Sequence, residues 1–407
     1  MKVRNWTKWT PLFLSNFMGV LNDNFLKYSI IFMAISWSLP TWFTQSQLIA
    51  LVSFALVIPY VFLSPLGGML ATRYSKRKVF LFFKLLEIPI MAIACVAFYY
   101  QYVFLAIFSV LLMGIQSSLY SPAKYSLIRD IGGEKGVSFG TGVFEMMAFL
   151  GILAGTVLAS YMADRYSYVW VLICFLGFAI IGYLVTSQIR AKEIAAPQEL
   201  KIALHPFAFI IQSYHKSRAF PMLNAAVFGS AFFWFLGSIL QMNIVIHSTV
   251  VYGLSNTETG VIVSIVAIAL GVGCWIAGKI LTNTNIYVLL LVGISGIAIS
   301  SFVLGIYCYP LRTFLALLVI LSLCGGLFQV TCLSLIQKTA KEISLADIFA
   351  YVNLLTFICI LIGAGLFSLI NWMSGDNSFY IFFLLSAISF LLTFFYFFKV
   401  MSIRKLP

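Results

Sequence analysis

The stretch GVLNDNFLKYSII, residues 19–31, sets Asp23 and Lys27 inside an apolar run that extends from Pro11 to Ser36. About 25 residues at roughly 1.5 Å each are enough to cross the hydrocarbon of a bilayer. Asp23 then lies about 18 Å along the helix, near the midplane. A charge at that depth costs at least a few kcal/mol, so it requires a partner, a wet cavity or a task. The stretch reads as a membrane-spanning helix with chemistry inside it.

The rest of the chain repeats the apolar run. Of its 407 residues, 62% are hydrophobic and 9% charged, and the mean hydropathy is +1.03. Soluble domains carry roughly 25% charged residues, so a soluble globular fold is excluded. Continuous runs, rather than alternating ones, point to helices and not to a barrel. Runs bounded by charges or turn residues predict twelve spans, near 11–36, 46–71, 79–99, 102–120, 137–162, 167–189, 218–247, 257–281, 285–308, 312–337, 344–370 and 378–400. A full-length first run that opens such a series also argues against a cleavable signal peptide.

Charge then orients the series. Of the 25 Lys and Arg, Lys27 and Lys84 lie inside spans and Arg165 and Arg312 fall on one side; the other 21 fall opposite. The basic side, which holds both termini and the RYSKRK loop, is expected to be cytoplasmic. The formal charge of +13 is therefore a feature of membrane topology, and no nucleic-acid partner is expected. The long segment 190–217 divides the chain into residues 1–189 and 218–407, each with six spans. Within it, ELKIALHPFAFIIQ mixes apolar residues with Lys201 and suits a short helix lying in the membrane interface. His205, His215 and His247 are read as surface residues. The seven cysteines (95, 174, 274, 308, 324, 332, 359) form no Cys-x-x-Cys pair, so neither metal nor redox cofactor is expected.

An all-α array of twelve transmembrane helices, six plus six around a long central loop, resembles the major facilitator transporters. That resemblance implies two six-helix bundles with a substrate site near the midplane between the halves. GGMLATRYSKRK, 67–78, resembles the facilitator signature: Gly68, Arg73, Lys76 and Arg77 match, while Thr72 replaces its Asp and Ser75 its second Gly. These four residues are candidates for gating, the Gly for close helix packing and the cations for meeting carboxylates or helix C-termini.

Three further stretches resemble the lysophospholipid transporter family. They are NDNFLK at 22–27, SPAKYSLIRD at 121–130 and GVFEMMAFLGILAG at 142–155, with weaker likeness in FFWFLGSILQ at 232–241 and GGLFQVTCLSLIQ at 325–337. The chain departs from the family at Cys332, where a Pro is expected, and at Gln241, near the intramembrane Arg of some relatives. The resemblance implies transport of glycerophospholipids lacking one acyl chain across a bacterial inner membrane to the cytoplasmic leaflet. It also implies a separate acyltransferase or acyl-carrier-protein synthetase as partner. Asp23, Asn24, Lys27, Lys124, Glu145, Gln241 and Asn353 are the candidate substrate-binding residues, since a charged head group needs a polar cavity beside an apolar wall. Lys84 and Glu87, three apart, are read as a structural pair with a snorkelling Lys.

Asp23 and Lys27 are four apart, so a purely structural pair across one helical turn is an alternative to a binding role. A proton-coupled exporter of small amphipathic molecules, such as drugs or siderophores, would use Asp23 or Glu145. A non-transporting scaffold of an acyltransferase system would need neither. An enzyme is not expected: the sequence has no Ser/His/Asp set, no phosphate-cradling Gly loop and no His-x4-Asp acyltransferase motif.

Overall fold

Helices form because a chain in hydrocarbon must satisfy every backbone N–H and C=O within its own segment. In the computed structural model of the protein, which describes residues 6–34, 37, 44–165, 168–193, 202–282, 284–340, 343–375 and 377–404, no strand occurs among the described residues. The helices of the first half are α1 (Trp6–Met33), α2 (Gln45–Arg73), α3 (Lys76–Tyr99), α4 (Val103–Arg165) and α5 (Tyr168–Ser187). A short α6 (Pro206–Arg218) follows, then α7 (Leu223–Ile246) with a π-helical turn at His247–Val251. The remainder are α8 (Asn256–Ile280), α9 (Ile286–Ile306), α10 (Leu311–Thr339), α11 (Leu345–Ser374) and α12 (Ser378–Arg404). Among the described residues, ten helices are long and apolar enough to cross a membrane; α1, which carries Lys8, Asp23 and Lys27, is not one of them.

Among the described residues the twelve expected helical spans are present, with one correction to their boundaries. The expected spans 102–120 and 137–162 are not separated by a loop: the backbone is helical from Val103 to Arg165 over 63 residues. Only Gly133, at φ 59° and ψ −175°, leaves helical geometry, so two helices meet there at a kink. A residue with a Cβ adopts that conformation at a cost, which is why the bend falls on a glycine. Residues 1–5 and 405–407, on which the expected placement of the termini bears, lie outside the described residues.

Local chemistry sets the helix ends. Thr44 and Gln47 form a reciprocal capping box at α2, and Ser255 and Glu258 form another at α8. Ser75 caps α3, so one Tyr-Ser step joins α2 to α3. There the Glu193 carboxylate accepts from the backbone N–H of Lys76 (2.7 Å) and Arg77 (3.1 Å) and from the Ser75 hydroxyl (2.6 Å). A carboxylate at the first turn satisfies orphan N–H groups and faces the positive end of the helix dipole.

The chain divides into two compact units. The first comprises Met1–Gly133, Met147–Ser213 and Lys341–Leu354; the second comprises Glu134–Met146, Tyr214–Ala340 and Leu355–Pro407. In the first, α5 packs on both α1 and α3, around an aromatic core. Phe25 and Phe98 each stand edge-on to Phe175, at 5.2 and 5.1 Å, and Trp37 is edge-on to Phe98. Such edge-to-face pairs add to what burial alone supplies. In the second unit α10 packs on α7, α8 and α9, and α12 on α7 and α9. His247 is buried there among Phe314, Phe379, Phe382 and Tyr252, with Nδ1 2.7 Å from the Ser378 hydroxyl. The expectation of a surface histidine is thus corrected: its ring fills an aromatic box.

Candidate functional site

On α1, Asn22 is buried, while Asp23, Asn24, Lys27 and Tyr28 share a half-buried face. Successive helical residues are about 100° apart, so Asn22 and Asp23 point to different surroundings. The Ser117 hydroxyl of α4 stands 3.2 Å from Asp23 Oδ2 and 3.0 Å from Gln116 Oε1, so either can accept its one proton. Tyr60 and Tyr120 lie close enough to Asp23 and Ser117 to share their electrostatic environment. Asp23 lies in the field of three charged groups on other helices, Glu87, Lys84 and Lys124. Two carboxylates, a serine, two phenols and two lysines thus converge inside the first unit.

Lys84 and Glu87 do pair, at 2.5 Å, but both side chains are fully buried. The snorkelling expectation is therefore corrected, because Lys84 turns inward from α3 toward α1. Asn22 Nδ2 donates to Glu87 Oε1 at 2.6 Å, and the Lys84 ammonium stands 5.8 Å from the Tyr120 ring centroid. Lys124, also buried, donates to Asn16 Oδ1 at 3.1 Å, and its ammonium stands 5.4 and 5.7 Å from the Tyr120 and Tyr125 ring centroids. Two lysines and two acids make the cluster formally neutral, so a zwitterionic guest would leave it neutral.

Asp23 and Lys27 form no ion pair among the described residues. The Lys27 ammonium instead sits 5.3 Å from the Tyr28 ring centroid, and the Asn24 amide donates to the Val20 carbonyl of its own helix. Lys124 belongs to the first unit and Glu145 to the second, where Glu145 is buried within electrostatic range of Cys274. Gln241, on α7 of the second unit, is exposed. Asn353 is buried in the α11 segment of the first unit, with its amide nitrogen unpartnered.

The signature loop is also ordered by charge. Lys76 is buried and paired with Asp130 at 2.7 Å, Arg77 donates to the Ser187 carbonyl, and Arg73 is exposed. Thr72, standing where the signature has Asp, contacts Ser344 (2.6 Å) and donates to Asp347 (3.1 Å).

Sequence reading missed Asn16, Tyr60, Ser117 and Tyr120; it paired Lys84 with Glu87 correctly but sent the Lys84 side chain outward. Asn16, Lys84, Glu87 and Gln116 each interrupt an apolar run, and that interruption was the available signal. The tyrosines carried none, since aromatic residues abound throughout the chain.

The pattern of the Major Facilitator Superfamily matches residues 12–364. The chain is 27% identical over 367 residues to the lysophospholipid transporter LplT of Photorhabdus laumondii, covering 88% of this chain and 87% of that one. It is 25% identical to the LplT of Salmonella arizonae over 365 residues, covering 88% and 86%. Among solved structures, the human organic anion transporter MFSD10 superposes with a TM-score of 0.77 at 12% identity, covering 96% of this chain and 98% of that one. A bacterial homologue of ferroportin in an outward-facing state superposes with a TM-score of 0.74 at 13% identity, covering 95% and 98%. Twelve helical spans, a signature loop ordered by buried charge and a pattern match over most of its length together make this chain a member of the Major Facilitator Superfamily.

Proposed function

We propose that this protein is a lysophospholipid transporter of a bacterial inner membrane. It moves lysophospholipids to the cytoplasmic leaflet, where an acyltransferase or acyl-carrier-protein synthetase system reacylates them, and it works by alternating access between residues 1–189 and 218–407. Both termini face the cytoplasm. The observation that carries this reading is Asp23, a half-buried carboxylate held by Ser117 beside Lys84, Glu87 and Lys124. An intramembrane acid so placed receives a cation, and the adjacent lysine receives an anion. A lysophosphatidylethanolamine head group carries both.

In this reading Asp23 takes the ammonium and Lys124 the phosphate, with Asn24 and Lys27 on the same face of α1. Glu145, Gln241 and Asn353 are further candidate substrate contacts, and Gly68, Arg73, Lys76 and Arg77 serve the gate. The named relatives support the substrate class.

Uptake of labelled lysophosphatidylethanolamine by proteoliposomes tests it. The wild-type protein is expected to accumulate the lipid. Asp23→Ala and Asp23→Asn are expected to lose at least about 90% of the rate while remaining folded, the loss of an interaction made in the loaded state. Absence of uptake by the wild type, or full uptake by Asp23→Ala, would overturn the proposal.

A further inference from the structure

The Lys84–Glu87 pair lies wholly inside the first unit, with neither side chain exposed. A buried ion pair rarely improves on apolar residues of similar volume, and ionisable groups within membrane spans commonly mark function. The surroundings are shaped to the ammonium. A Cβ at Gly19 of α1 would stand 2.8 Å from Lys84 Nζ, and one at Gly182 of α5 3.6 Å. Any side chain at Gly19 would therefore displace the cation.

Glu87 divides its oxygens between two helices. Oε2 meets Lys84 of its own helix at 2.5 Å, and Oε1 receives the Asn22 amide of α1 at 2.6 Å. Asn22 is fully buried, and its Oδ1 has no partner. Its next residue is Asp23, on the half-buried face that meets Ser117. Fixing Asn22 against Glu87 fixes the rotation of α1 about its axis, and with it the direction of the Asp23 carboxylate.

We propose that Lys84 and Glu87 are positioning residues for Asp23: the pair holds Asn22 through Glu87 Oε1 and so aims the neighbouring carboxylate at the cationic part of the substrate. The proposal rests on the reading of Asp23 as the head-group carboxylate. Lys84 holds Glu87 in place, and Glu87 supplies the acceptor. Neither residue needs to touch the substrate.

The test uses two double variants in the full-length protein. Lys84→Met with Glu87→Met removes both charges and the acceptor for Asn22. Lys84→Met with Glu87→Gln removes the charges and leaves a side-chain carbonyl for Asn22. Two readouts are taken: the infrared carboxylate band of Asp23, isolated by subtracting the matching Asp23→Asn spectrum, and the KM for lysophosphatidylethanolamine uptake. The Met/Met variant is expected to melt within a few degrees of the wild type, to shift the Asp23 band and to raise KM about tenfold with little change in maximal rate. The Met/Gln variant is expected to return both readouts toward wild type.

A Met/Met protein with the wild-type band and KM would overturn the proposal. So would a Met/Gln protein no better than Met/Met, since a merely structural pair predicts no rescue by the acceptor alone. If Met/Met does not fold, the Met/Gln protein decides: a wild-type Asp23 band supports the proposal and a displaced band overturns it. The infrared band needs no substrate. Failure of the wild type to take up the lipid therefore counts against the head-group reading, while the band still decides the positioning role.

Discussion

At Gly68 the backbone of α2 comes so close to the start of α11 that a Cβ would stand 2.7 Å from that of Ala350 and 3.3 Å from Asp347 Oδ1. Small residues permit this approach, and van der Waals packing drives helix association in a membrane. One turn further along α2, Thr72 reaches Ser344 and Asp347. The carboxylate absent from the signature at position 72 is thus met by one from another helix within the same compact unit. Gly68→Val is expected to force the two segments apart at a cost of about 1–3 kcal/mol, seen as a lower thermal midpoint in detergent. Gly177→Ala is the control, because a Cβ there meets nothing within 4 Å. Equal losses in both variants would refute the packing argument.

At the scale of elements, α4 and α6 make different demands on the chain. The kink in α4 rests on Gly133, whose φ of 59° with ψ of −175° lies in a region that only glycine enters readily. Space is not the constraint, since a Cβ would meet nothing within 4 Å. Gly133→Ala is therefore expected to cost about 1–3 kcal/mol from backbone strain alone, and an unchanged midpoint would exclude that strain. The short α6 has two faces. Phe209, Ser213 and Ser217 are buried, whereas Phe207 and Ile211 are 72% and 59% exposed on the opposite side. Basic residues, Lys216 and Arg218, close its last turn. An exposed apolar stripe with cations at one end fits an interfacial helix. The emission that Phe207→Trp adds to that of the eight native tryptophans is expected to be quenched in proteoliposomes by lipids brominated on their acyl chains; an increment indifferent to bromine would place α6 in water instead.

For the whole molecule, the open quantity is orientation, and the loop charges make a definite proposal. In that proposal the basic loops, including the one at Tyr74, face the cytoplasm and the loop of Cys308 faces out. Both positions are exposed. In spheroplasts, Cys308 is expected to react with a membrane-impermeant maleimide. A Tyr74→Cys variant lacking Cys308 is expected to react only after permeabilisation. Reversal of the two results would invert the topology. The compact units add a second feature at this scale. Segments 134–146 and 341–354 each group with helices from the other half of the chain, so the cut at 190–217 and the grouping by contact are not the same division.

How much of this was legible in the sequence varies by residue. The apolar runs determined the number of helices, because hydrocarbon leaves a spanning segment no backbone partner but itself. The signature loop and NDNFLK announced the family from residue identity, and the charge of the short loops carried the proposed orientation. The sequence also located Asp23 in mid-span. It did not reveal that Asp23 is held by Ser117 and not by Lys27, or that Lys84 turns inward to Glu87 and Asn22. Nor did it show that α4 runs on through the expected loop to Gly133. Only the tertiary structure decides these, for one physical reason. In a soluble helix the apolar stripe marks the buried face, but in a membrane lipid and protein core are equally apolar, so periodicity no longer says which way a side chain points.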